Sequence, residues 1–142
     1  MQIVDDRLAL KALEGWHTPH WGGEVPTITW LSHARLLRAL MSSSTTGSLS
    51  RAAFEGALEA ALSPPADVLR VLDPRPYTAD AARLMASHRI SLLAAGMLAP
   101  AIRHGGRVHV HQGHYVGGWD DVVDGTDAKV RVFQESELRS GL

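Results

Sequence analysis

The residues best equipped for chemistry lie in one short stretch. His104, His109, His111 and His114 all fall within HGGRVHVHQGH. If Arg107 to His111 is a strand, His109 and His111 share a face, and paired imidazoles on one face are a common zinc or copper arrangement. His114, His17 or His20 then offers a third ligand, with Asp120 or Asp121 as a carboxylate. Such an open site would support metal-assisted hydrolysis. The competing readings of His109, His111 and His114 are structural or solvent-facing histidines with no ion, or groups with a nucleic-acid or proton-transfer role. Near the N-terminus, Asp5 and Asp6 close a short apolar run and Arg7 follows them. Arg suits bidentate phosphate contacts. Four Trp, Trp119 among them, could stack on bases or a partner, although at least two are expected in the core.

Other chemistries are excluded by what is missing. No cysteine is present, so disulfides, thiol nucleophiles and thiolate metal sites are ruled out. No Gly-rich loop leads into Lys-Ser or Lys-Thr, and no Gly-x-Ser-x-Gly elbow occurs. The pairs Gly22-Gly23, Gly105-Gly106 and Gly117-Gly118 read most simply as turns.

Alternating elements must position these groups. Gln2 to Val4 reads as a strand, and Asp6 as the cap of a helix bearing Leu8, Ala9, Ala12 and Leu13 on one face. Val25 to Trp30 reads as a second strand, and Ser32 as the cap of a second helix. Ser42 to Ser50 is expected as a flexible polar loop. A third helix is expected over Ser50 to Leu62, with Phe54, Leu58, Ala61 and Leu62 inward. Val68 to Leu72 fits either a strand or a helical turn. Thr78 is expected to cap a fourth helix. A fifth, starting near Arg89, carries Ala94, Ala95 and Gly96 for close packing and Pro100 as a kink. Strand Arg107 to His111, a loop or short helix at Trp119, edge strand Lys129 to Phe133 and a fraying tail complete the chain. This alternation implies a single α/β domain over residues 1–142. Its form is a three-layer sandwich, a mostly parallel sheet with helices on both faces.

The 142 residues suit one domain, and a net charge of -1 gives no global basic field. Twelve of fourteen cations are Arg and Asn is absent, which reads more simply as coding bias than as selection for phosphate. No apolar run approaches membrane-spanning length, and MQIVDDRLAL does not read as a signal peptide. A cytoplasmic protein with no membrane association is expected.

Three segments together resemble a PIN-like domain, the fold of many small bacterial toxin ribonucleases. IVDDRLAL resembles that family's first strand, ending in a metal-binding Asp matched here by Asp5. TWLSHARLLRAL resembles the helix that carries a second acid. ADAARLMASHRISLLAAGMLAPAIRHGGRVHVHQGHY resembles its helix, Gly turn, strand and acidic loop. The resemblance implies Mg²⁺ or Mn²⁺ held by clustered carboxylates to activate water. In this chain Ser32, His33 and Ala34 stand where the second acid belongs. Ile90 and Ser91 stand at the third position, and Gln112 and His114 in the final loop. Asp5, with Asp6 beside it, is the acid retained. The resemblance therefore implies a degenerate member without ordinary metal-dependent ribonuclease activity. It would bind RNA or a protein partner, with Gln112, Ser91, Arg7 and Trp119 as binding candidates, and it could belong with toxin–antitoxin systems or form a homodimer. The alternatives are a hydrolase with zinc at the histidines, or a structural domain.

Overall fold

The computed structural model describes residues 1–16, 18–45 and 51–140. Five strands, β1 (Gln2–Val4), β2 (Thr27–Thr29), β3 (Arg70–Leu72), β4 (Arg107–His111) and β5 (Lys129–Phe133), form one all-parallel sheet in the order β3-β2-β1-β4-β5. Val4 of β1 faces Ile28 on one neighbour and His109 on the other. The helices are α1 (Asp6–Leu13), α2 (Trp30–Thr45), α3 (Arg51–Leu62), α4 (Thr78–Ser87), α5 (Leu92–Arg103), α6 (Trp119–Gly125) and α7 (Glu135–Ser140).

Strand periodicity sorts the core into two layers. Val4, Ile28 and Phe133 pack with Leu8 and Ala12 of α1, Leu36 and Leu40 of α2, Ala61 of α3 and Leu138 of α7. Ile3, Val108 and Val110 face the opposite way, onto Ala94, Met97 and Leu98 of α5 and Trp119 and Val122 of α6. Adjacent residues of β1 thus enter different cores, as the two-residue repeat requires. Both faces of the sheet are covered, the usual condition for an all-parallel sheet. Ala81 of α4 meets Ala95 and Ala99 of α5, so small side chains let these helices approach closely. The chain is a three-layer α/β sandwich built on a parallel sheet.

Several local expectations are corrected. Asp5, not Asp6, caps α1, because its side chain accepts from the amide of Leu8. Helix α2 starts at Trp30, and Ser32 lies buried inside it rather than capping it. The same helix extends through Ser42 to Thr45, the first part of the expected loop, while 46–50 lie outside the described residues. Leu62 ends α3 half-exposed rather than inward, and Thr78 is the first residue of α4, with Tyr77 as its cap. Helix α5 begins at Leu92 with Ser91 as cap, and it runs through Pro100 to Arg103 without losing its last turn. The polar tail forms α7, anchored by Leu138 in the core. For α1 and α5 a capping hydrogen bond sets the start, and for α7 the packing of Leu138 outweighs the polar sequence.

Candidate functional site

In this strand order the chain leaves β1 toward β2 on one side and β4 toward β5 on the other. The carboxyl ends of β1 and β4 therefore flank the switch point of the sheet, where a crevice opens and ligands bind in open α/β folds. Asp5 follows β1, and the short 3-10 turn Gln112–His114 follows β4.

Asp5 is wholly buried, and each of its oxygens is engaged. Oδ1 accepts from the amide of Leu8 at 2.9 Å, and Oδ2 accepts from the amide of His111 at 2.7 Å. Oδ2 also accepts from Nδ1–H of His114 at 2.7 Å. That bond fixes the ring and leaves Nε2 to face Arg35, whose Nη2 lies 3.2 Å away. A guanidinium only donates, so Nε2 is the acceptor and His114 is neutral in this arrangement. The Asp5 hydrogen bond holds the His114 pKa above its ordinary value despite burial, while the Arg35 charge opposes this. Asp6 lies alongside, its Oδ1 buried without a hydrogen bond and 3.8 Å from both His114 Nε2 and Arg35 Nε. His114 and Arg35 open onto a cleft of about 340 Å³ whose walls also include Ile90, Ser91 and Trp119.

Asp5, Asp6 and His114 bring ligand atoms within 4.8 Å of one another. The set does not fit the hard-ion site that the PIN resemblance implies. Both lone pairs of Asp5 Oδ2 are taken by donors, and His114 presents nitrogen to an ion that prefers oxygen. The Arg35 guanidinium contributes positive charge in the same space. What remains is an imidazole backed by a buried carboxylate, with an arginine beside its free nitrogen.

The chain matches no family model and no curated protein.

The candidate zinc ligands do not converge. His109 is buried under Trp21, and its Nε2 meets Gln2 Oε1 at 2.7 Å. Burial, reinforced by the charges of Arg131 and Arg107, lowers its pKa to about 4. His111 has its Nδ1 occupied by the amide of Gly113, and its Nε2–H donates to Glu135 at 2.6 Å. His114 belongs to Asp5, so three histidines serve three separate partners. His20 stacks on Trp16, His104 bonds Tyr77, and His17 lies outside the described residues. Asp120 and Asp121 bond Tyr115 and His88 instead.

Among the other candidates, Ser91 caps α5 by accepting from the amide of Ala94, and its Oγ sits at the rim of the cleft. Gln112 is exposed, and Trp119 is a buried wall of the cleft. Arg7 is bound to both oxygens of Glu135. Sequence reading missed Arg35 and Glu135. Arg35 sits in the very segment searched for an acid, where a basic replacement was the available signal. Glu135 had no local signal, since its partners Arg7 and His111 are 128 and 24 residues away.

A second, apolar cavity of about 260 Å³ opens across α5 from the first. Trp30, Leu72, Tyr77, Met85 and Leu92 line it, and Trp30, Met85 and Leu92 are each largely solvent-exposed. Trp30 is 57% exposed, unlike the other three Trp, which close the cores.

Proposed function

We propose that this is a PIN-like protein whose carboxylate-and-metal site has given way to a metal-free phosphate-reading one, and that it binds single-stranded RNA. The observation that carries this reading is the Asp5–His114–Arg35 arrangement at the switch point. Asp5 spends its charge on internal donors, so the Arg35 guanidinium is the group the cleft offers to an incoming anion. Arg35 is half-exposed, and turning from Asp6, 3.8 Å from its Nε, and from His114 Nε2 would let it bind a phosphate in two-pronged geometry. The apolar cavity across α5, with the exposed Trp30 in its lining, supplies a face on which a base can stack.

Fluorescence anisotropy of labelled single-stranded RNA tests the reading. Affinity should fall steeply as salt rises, because phosphate contacts release counterions. It should drop at least tenfold in Arg35→Glu. A protein partner is the second reading, favoured by the exposed apolar group Trp30, Met85, Leu92 and Val71. Under that reading RNA affinity is absent.

A further inference from the structure

We propose that the same cleft cleaves RNA without metal, His114 serving as general base toward a ribose 2′-hydroxyl. The inference rests on the RNA-binding reading and adds a reaction to it. Three features argue for it. The His114 ring is clamped at Nδ1 by a carboxylate that is itself fixed by two backbone amides. An orienting acid behind an imidazole is the recurring design of a positioned base. The contact from Arg35 defines the lone pair on Nε2, and that nitrogen borders the cleft. Finally, Arg35 is half-exposed, and moving from Nε2 and from Asp6, 3.8 Å away, onto a phosphate oxygen would both uncover the base and offset charge developing on phosphorus-bound oxygens. His111 cannot share this role, since both its nitrogens are engaged.

In the step, the 2′-oxygen bonds to phosphorus and the bond from phosphorus to the 5′-oxygen breaks. The 2′-hydroxyl proton passes to His114 Nε2, and the departing 5′-oxygen takes a proton from water. The resulting hydroxide removes the proton from His114 and restores it. The products are a 2′,3′-cyclic phosphate and a 5′-hydroxyl. Asp5 acts as a positioning residue, and no redox partner or ion is required.

The test follows end-labelled single-stranded RNA with the full chain in excess EDTA, alongside anisotropy on the same RNA. The expected result is cleavage to cyclic-phosphate ends, with no cut at a linkage whose 2′-hydroxyl is replaced by hydrogen. His114→Gln should retain RNA affinity and lose at least a hundredfold in rate, within the range for a lost general base. Arg35→Ala, at an exposed position that leaves folding intact, should slow cleavage at least tenfold. RNA bound but uncut in EDTA, or cut as fast by His114→Gln, overturns this inference alone. Absence of RNA binding overturns it together with the reading beneath it.

Discussion

Asp5 Oδ2 and His114 Nδ1, 109 residues apart in sequence, meet at 2.7 Å beneath the cleft. The same carboxylate caps α1 and receives the amide that follows Val110, so the first helix, β4 and the site share one anchor. Asp5→Ala would remove a helix cap, worth about 1 kcal/mol, and strand further buried donors at about 1–3 kcal/mol each. A loss of about 3–7 kcal/mol in denaturant unfolding is expected. A loss under about 1 kcal/mol would mean that the three hydrogen bonds do not persist in solution.

His109 predicts how stability depends on acid. Its folded pKa of about 4 lies below the ordinary 6.5, so the fold keeps it neutral while the unfolded chain takes up a proton. Its contribution is therefore complete above 6.5, declines as pH falls toward 4, and is level below that. The decline amounts to about 3 kcal/mol. His114 works in the opposite sense: its raised value stabilises the fold below 6.5, an effect lost as pH climbs through the folded pKa. Unfolding free energies of wild type and His109→Gln should converge by about 3 kcal/mol between pH 7 and pH 4. A difference independent of pH would contradict the buried neutral histidine.

Two glycines should respond oppositely to alanine. Gly118 has φ of +92°, and a Cβ there would collide with the carbonyl of Arg89. Gly118→Ala should cost more than about 1 kcal/mol and disturb the loop that carries His114. Gly96 is helical with open space around its absent Cβ, so Gly96→Ala should stabilise by about 0.5–1 kcal/mol. Thermal melts of the two variants, shifting in opposite directions, check both statements.

Trp30 separates function from stability. Because its ring is mostly exposed, Trp30→Ala should change stability by less than about 0.5 kcal/mol. RNA affinity should fall about tenfold, within the about 1–3 kcal/mol of a lost base stack. Equal losses in both measurements would make Trp30 a core residue.

The three-layer fold was legible because strand and helix periodicities alternate along most of the chain, and the α5–β4 segment carried its glycine turn in plain view. Helix starts were less legible, since Ser32 and Thr78 look like caps while their helices begin at Trp30 and at Thr78 itself. Asp5 and His114 were both visible as residues of interest. Their pairing was not, because it depends on β1 and β4 lying side by side. Arg35 and Glu135 became meaningful only through partners distant in sequence.

The cleft reads phosphate through Arg35 rather than through a metal ion. The most direct test of this is the dissociation constant for single-stranded RNA measured in EDTA and again in millimolar Mg²⁺ or Mn²⁺, for wild type and Arg35→Glu. The expected result is the same constant with and without metal, and at least a tenfold weakening in the variant under both conditions. Binding that appears only when divalent metal is added, and that Arg35→Glu leaves intact, would contradict it.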